Sequence, residues 1–202
     1  DYRFVPGIGI GTRGPVRSVA LYTRRDIRDI RHIALDTSSR TSVTLIRVLC
    51  ARHFRIQPEY VPHPPDVLVM LRDYDAGLII GDPALEFDAE AHGIRKIDLG
   101  AEWTAMTGLP FIYAGWTGPS GALDQTQVRA LQEAQAEGVR SFPAIAKEYA
   151  GADAAREARS LAYLTDNLRY GLGPDEQAGM QLFLDAAADL GLAPGRRRVE
   201  FF

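Results

Sequence analysis

Hydroxyl side chains are concentrated in one short segment, residues 35–42 (LDTSSRTS), in which five of the last six positions are Ser or Thr. The segment runs from the end of a predicted strand into the start of a predicted helix. The free N–H groups and the positive dipole end of a helix N-terminus attract anions, and hydroxyl groups add further donors. A guanidinium group can bind a carboxylate in bidentate fashion. We therefore predict that this loop binds a carboxylate through Ser38, Ser39, Arg40, Thr41 and Ser42.

The same loop also has a purely structural interpretation. Ser and Thr are ordinary N-cap residues, and Arg40 could simply pair with Asp36. One cap accounts for one hydroxyl, however, and ligands of open α/β sheets bind outside the C-terminal ends of strands, where this loop lies. We favour the anion site and keep the helix cap as the alternative.

Asp82 follows the apolar segment 76–80 (AGLII), so it emerges at the same predicted sheet edge as the hydroxyl loop. A carboxylate there could contact a hydroxyl group of a ligand. Alternatively, Asp82 could cap a short helix beginning at Pro83, because Pro is favoured at the first helical position. The two interpretations are compatible, and both stay open.

Two other kinds of site lack support in the sequence. Gly9, Gly11 and Gly14 spell G-x-G-x-x-G, but Pro15 and a strand-like segment follow, whereas the dinucleotide fingerprint requires a helix there. We interpret the glycines as a turn. The four histidines have no metal-ligand spacing and there is one cysteine, so we expect neither a metal nor a cofactor.

The composition favours a globular protein that acts on a small molecule. The chain has 202 residues, 46% hydrophobic and 24% charged, enough for one domain or two small lobes. Net charge is −3 and the basic residues are scattered, so we expect no nucleic-acid or membrane partner. The lone Cys50 cannot form an intrachain disulfide, which suits a reducing, cytoplasmic setting. The oligomeric state stays open.

Strand-like and helical segments alternate until about Gly118, after which the chain is mostly helical. Apolar runs predict strands at 17–22, 33–35, 59–61, 76–80 and 111–116, forming a buried parallel sheet, with helices at 41–54 and after the PPD at 64–66. Residues 117–121 (TGPSG) are a predicted linker. Helical periodicity marks 123–137, 142–149, 152–167 and 174–190. We therefore predict an α/β fold of two lobes, with 17–22 and 111–116 as hinge strands.

Four strings, GPVRSVALY, LDTSSRTS, IIGDPAL and DLGAEWTAMTGLPFIYAGW, occur in this order between residues 6 and 116. This pattern resembles the chorismate dehydratases of the futalosine route to menaquinone. The resemblance implies a type II periplasmic-binding-protein-like fold. On it, residues 1–20 are a remnant of the first lobe with a hinge strand, 21–112 the second α/β lobe, and 113–202 the return hinge strand with the helical part of the first lobe. Family members begin with a further α/β segment, so the chain is expected to be N-terminally incomplete.

The resemblance also implies an activity, that of a hydro-lyase converting chorismate, a small dianionic carboxylate, to 3-[(1-carboxyvinyl)oxy]benzoate and water without a cofactor. Ser18 and the hydroxyl loop match pocket motifs, with Ser18 donating from the hinge side, and Asp82 matches the acidic position. No strong base is evident, so a substrate carboxylate could take the proton. The alternatives are a non-catalytic solute-binding protein for a small carboxylate, the sibling 1,4-dihydroxy-6-naphthoate synthase, and a regulatory ligand-binding lobe.

Overall fold

The computed structural model describes residues 2–202, and Asp1, where the first predicted segment begins, lies outside them. Within that range the strands are β1 (Tyr2–Phe4), β2 (Ile10–Thr12), β3 (Val19–Thr23), β4 (His32–Asp36), β5 (Glu59–His63), β6 (Ala76–Ile80), β7 (Arg95–Asp98), β8 (Phe111–Ala114) and β9 (Thr117–Pro119). The α-helices are α1 (Arg40–Leu49), α2 (Val67–Asp73), α3 (Asp82–Glu86), α4 (Leu99–Thr107), α5 (Gln125–Arg140), α6 (Phe142–Ala150), α7 (Ala154–Ala162) and α8 (Pro174–Asp189). Single π-helical turns extend α1 over Cys50–Phe54 and α7 over Tyr163–Asn167. The chain thus has a mixed α/β fold, as predicted.

Five strands form a mixed sheet in the order β5-β4-β6-β3-β7. β4 is parallel to β5 and β6, as predicted, whereas β3 is antiparallel to β6 and β7. The prediction of a wholly parallel sheet was therefore wrong. The connection of residues 24–31 between β3 and β4 is shorter than the dozen or so residues that a parallel crossover requires.

Both faces of this sheet are buried, which explains its apolar strands. Alternate residues of a strand point to opposite faces, so Leu21 and Leu78 join one cluster and Tyr22 and Ile79 the other. The first cluster is covered by α1 and α4, and the second by α2 and α3. Each fully buried large apolar side chain contributes roughly 1.5–3 kcal/mol relative to an exposed one.

The C-terminal helices pack against both the sheet and two short strand pairs. β1 pairs antiparallel with β9, and β2 with β8. On α8, the Phe183 ring contacts Trp103 of α4 and Phe111 of β8 edge to face. One continuous core therefore joins α4, β8 and α8. No helix within residues 2–202 is both long enough and apolar enough to span a bilayer.

Some predicted elements were misplaced or missed. The predicted linker 117–121 contains β9, whose partner β1 is at the other end of the chain. The predicted hinge strand 17–22 starts at Val19, and as β3 it pairs on both sides inside the sheet. β7 and α4 were not predicted. β2 was not predicted either, because its residues were interpreted as part of a turn. The remaining longer helices and strands agree with the predicted segments to within a few residues.

The glycine-rich segment was interpreted as a turn, but its middle part, Ile10–Thr12, is a strand, so that interpretation was wrong for these residues. Gly11 lies in β2, and the element after Gly14 is strand β3, so no helix receives a phosphate here. A Cβ at position 11 would lie 2.6 Å from the Phe111 carbonyl oxygen. Glycine is required there because β2 and β8 approach too closely for a side chain.

Candidate functional site

A cavity of about 250 Å³ lies between α3, at the edge of the sheet, and the helices α6 and α7. Its size is near the lower end of the roughly 300–1,000 Å³ typical of ligand sites, which suits a small acid better than a dinucleotide. The lining residues are Arg17, Asp82, Leu85, Glu86, Ile145, Ala146, Tyr149, Arg156, Arg159, Ser160, Tyr163 and Leu164. The cavity thus combines three arginines, two carboxylates and two phenols with an apolar wall.

Asp82 is the first residue of α3 and lies in this cavity. The N-cap of α3 is Gly81, with φ of 69°, and no side chain caps the helix. The prediction that Asp82 caps a helix beginning at Pro83 was therefore wrong. A left-handed glycine turns the chain sharply after β6 and places the Asp82 carboxylate in the cavity instead of over the helix end.

The Asp82 carboxylate accepts a hydrogen bond from the Tyr149 hydroxyl of α6, with 2.5 Å between the oxygens. This bond raises the pKa of Tyr149, because ionising the phenol would remove its proton from beside a carboxylate. Tyr149 therefore stays a proton donor at neutral pH. Because a phenol has one proton, Tyr149 can donate to a ligand only when that proton turns away from Asp82, which then accepts from the ligand instead.

A second contact also joins the two walls of the cavity. The Arg156 guanidinium of α7 lies over the Tyr149 ring, 4.3 Å from its centre, and 3.6 Å from a carboxylate oxygen of Glu86 on α3. Tyr149 and Glu86 are largely exposed. Each of these two exposed contacts is therefore weak.

Ser18 lies directly behind the cavity and is 7% exposed. Its Oγ is 2.7 Å from the hydroxyl of Tyr163, which lines the cavity, and its carbonyl oxygen accepts from the Gly81 N–H at 2.7 Å. Burial raises the pKa of Tyr163, so this phenol is also protonated at neutral pH. The structure thus places Ser18 against Gly81, the residue before Asp82, with Tyr163 between Ser18 and the cavity.

The hydroxyl loop lies at the same edge of the sheet, but none of its residues lines the Asp82 cavity. Ser39 is the N-cap of α1: its Oγ accepts from the Ser42 N–H at 3.1 Å and lies 3.0 Å from the Ser42 Oγ. The N–H and Oγ of Ser38 both donate to one oxygen of Asp36, at 3.0 and 2.7 Å. These serine hydroxyls already have partners within the loop.

The remaining loop residues have other surroundings. The second Asp36 oxygen accepts from the Ile80 N–H at 3.3 Å, and Arg40 forms no ion pair with any residue in the range 2–202. The alternative that Arg40 pairs with Asp36 was therefore wrong. Thr41 lines a second cavity of about 280 Å³, with Phe111 and Phe183 in its wall. Carboxylate binding by the loop stays a prediction.

Asp98 and Arg17 shape the sheet side of the Asp82 cavity, and the sequence reasoning missed both. Asp98 caps α4, and one of its oxygens accepts from Gly100 and Ala101 N–H at 2.9 and 3.0 Å. The same carboxylate accepts from the N–H groups of Val16 and Arg17, at 3.0 and 2.5 Å. Arg17 has φ of 67° and lines the cavity. An Asp between the strand-like RKI and the apolar LGAEW was a recognisable N-cap signal, whereas nothing local marked Arg17.

Comparison with known proteins agrees with this architecture. A protein-family model described as menaquinone biosynthesis matches residues 1–189. A chorismate dehydratase of Thermus thermophilus is 29% identical over 205 residues, covering 90% of this chain and 72% of that protein. The crystal structure of protein AF1704 from Archaeoglobus fulgidus has the same fold, with a TM-score of 0.70 at 20% identity over 95% of this chain and 74% of that one. The chain therefore belongs to the menaquinone biosynthesis family.

Proposed function

We propose that the protein is a chorismate dehydratase, a hydro-lyase that converts chorismate to 3-[(1-carboxyvinyl)oxy]benzoate and water. Its membership of the menaquinone biosynthesis family and its likeness to the Thermus enzyme support this activity. One structural observation carries the proposal: a small cavity at the end of β6 holds Asp82 and Tyr149 among three arginines. That combination suits an acid that carries two carboxylates and a hydroxyl group.

The reaction is an elimination that needs a proton acceptor and assistance to the departing hydroxyl. The ring carbon that bears the enolpyruvyl ether loses its proton, the electron pair of that C–H bond forms the third ring double bond, and the C–O bond of the hydroxyl on the neighbouring ring carbon breaks. When substrate binds, Tyr149 turns its single proton from Asp82 to the departing hydroxyl oxygen, and Asp82 accepts the hydrogen bond of that hydroxyl and so orients it before it leaves. A substrate carboxylate takes the ring proton and passes it to the hydroxide, which leaves as water. Atoms and electrons balance without an oxidant or reductant, and the new aromatic ring supplies the driving force.

The proposed function includes a two-lobed, periplasmic-binding-protein-like arrangement. One lobe is the five-stranded sheet with its helices, and the other consists of the two strand pairs with α5 to α8. The cavity between α3 and the α6–α7 pair supports this division, since ligands of two-lobed proteins bind between the lobes and closure shields them from water. Closure would keep the reacting groups away from solvent.

The test is to incubate the purified protein with chorismate and look for a product lighter by one water, using mass spectrometry and the absorbance of the new benzoate ring. We expect Asp82→Asn to lower kcat/KM by roughly 10²-fold or more, in the range found for groups that assist proton movement. Asp29→Asn is the matched control, since Asp29 is exposed on a short 3₁₀ turn away from the cavity. Absence of product from the wild-type chain would contradict the proposal, and tight binding without turnover would favour the solute-binding alternative.

A further inference from the structure

The cations of the Asp82 cavity outnumber its anions although the whole chain is acidic. Three arginines face two carboxylates there, whereas the net charge of the protein is −3. Arg156 is already engaged, since it pairs with Glu86 and covers the Tyr149 ring. Arg17 and Arg159 form no ion pair with any carboxylate in the described range 2–202. Two uncompensated guanidinium groups therefore face one small cavity.

The Arg17 backbone has a positive φ, although Arg17 is not a glycine and does not end a helix. Among residues 2–202, Arg17 and Arg55 are the two non-glycine residues with positive φ. Arg55 ends the π-helical turn after α1, a position where left-handed residues are common. Arg17 ends no helix, and its left-handed conformation is held by the Asp98 carboxylate. Backbone strain of this kind is concentrated at ligand sites, where it fixes the direction of a side chain.

Arg159 approaches the cavity from the opposite wall. It lies in the last turn of α7, three residues after Arg156 and four before Tyr163, and all three line the cavity. Residues three and four apart share one face of a helix, so this face of α7 is directed at the cavity. Arg17 belongs to the wall formed by the sheet, and Arg159 to the wall formed by the helices. A ligand that contacts both must reach across the cavity.

We propose that Arg17 and Arg159 each hold one carboxylate of the substrate and thereby select dianionic over monoanionic acids. The inference rests on the proposed function, because chorismate carries one carboxylate on its ring and one on its enolpyruvyl group. The planar fork of arginine matches a carboxylate bidentately, which gives geometric selectivity as well as charge. This assignment places carboxylate recognition in the cavity, not in the hydroxyl loop of residues 38–42.

Titration calorimetry with four acids tests the proposal: chorismate, 3-[(1-carboxyvinyl)oxy]benzoate, isophthalate and the monoanion 3-hydroxybenzoate. We expect Arg17→Gln and Arg159→Gln each to raise the Kd of the three dianions at least tenfold. For 3-hydroxybenzoate, which has a single carboxylate, one of the two changes should raise the Kd and the other should leave it unchanged. Arg140→Gln, at the exposed end of α5, is the matched control and should leave every Kd unchanged. Arg17→Gly is a second variant at the strained position, since glycine adopts its φ freely.

The outcomes separate this inference from the proposed function. If Arg17→Gln and Arg159→Gln bind the dianions as tightly as Arg140→Gln does, the two-arginine assignment is wrong, whatever the enzyme activity. If isophthalate binding needs both arginines but chorismate is neither bound nor dehydrated, the assignment stands and the dehydratase proposal fails. If the folded wild-type chain binds none of the four acids, both are wrong.

Discussion

Asp98 is the residue whose replacement should most clearly separate the fold from the site. One carboxylate oxygen accepts from the Val16, Gly100 and Ala101 N–H groups, and the other accepts from the Arg17 N–H. In Asp98→Asn, one oxygen becomes an NH₂ group. If the amide oxygen keeps the position with three donors, the NH₂ group faces the Arg17 N–H, and two donors meet.

The size of the effect follows from these contacts. Asn is about as good an N-cap as Asp, so the capping of α4 should be nearly unchanged. The loss is confined to one hydrogen bond to a charged acceptor, worth roughly 1.5–3 kcal/mol, and because Arg17 is exposed we expect the lower half of that range. For a chain of about 200 residues this lowers Tm by about 3–9 °C. Asp98→Ala removes all four acceptor contacts and should cost about 3–4 kcal/mol.

Urea denaturation and thermal melting measure the stability, and calorimetry with 3-[(1-carboxyvinyl)oxy]benzoate measures the affinity. We expect Asp98→Asn to weaken this binding as well, because Arg17 is no longer held over the cavity. Asp66→Asn is the control, since Asp66 caps α2 by accepting the Val69 N–H and holds no cavity residue. If Asp98→Asn and Asp66→Asn behave alike in both assays, the idea that Asp98 positions Arg17 is refuted.

Three further changes test the site and the core. Arg17→Gly should raise the free energy of unfolding, measured by urea denaturation, by about 1 kcal/mol, because glycine adopts φ of 67° without strain. A fall in that free energy would show that the Arg17 backbone is not strained. The double change Ser39→Ala and Thr41→Ala should lower the unfolding free energy by about 1 kcal/mol, because the α1 cap is lost, and should leave the Kd of 3-[(1-carboxyvinyl)oxy]benzoate unchanged. A tenfold rise in that Kd would instead support the hydroxyl loop as the carboxylate site. Burial raises the pKa of the Cys50 thiol from its ordinary 9.0 to about 11, so the folded state favours the neutral thiol. That stabilisation is complete below pH 9 and is lost as pH rises towards 11. Between pH 9 and 10 the unfolding free energy of the wild type, measured in urea, should therefore fall by about 1 kcal/mol more than that of Cys50→Ala. An equal fall in both proteins would show that the Cys50 pKa is not raised.

The elements that could be predicted from the sequence are those whose signal is local. The strand predicted at 76–80 coincides with β6, because a short, wholly apolar run between polar residues is typical of a buried strand in an α/β chain. The helix predicted at 174–190 is α8, which begins at a Pro and ends one residue earlier. Pairing depends on distant residues instead. β9 was mistaken for a linker because TGPSG has turn composition and its partner, β1, is far away in sequence.

The candidate site divides in the same way. Asp82 was proposed because it follows a strand whose apolar pattern was clear, whereas Ser18 was proposed only from the family resemblance. Tyr149 and Arg159 were missed because both lie on amphipathic helices, where a polar residue normally faces water. Their role depends on the packing of α6 and α7 opposite α3. That packing is set by tertiary contacts, which helical periodicity does not record.

The charges of the cavity connect selectivity with closure. Two of the contacts that join its walls, Tyr149 to Asp82 and Arg156 to Glu86, lie at an exposed surface and are individually weak. A monoanion bound to one arginine adds nothing across the gap, whereas a dianion held by Arg17 on one wall and Arg159 on the other links both. A ligand shifts a conformational equilibrium only by the difference in its affinity for the two states. By the proposed assignment, a dianion should therefore stabilise the closed arrangement by at most the free energy of its second ion pair, which forms only across the cavity, and the same two arginines would decide which acid binds and when the cavity closes.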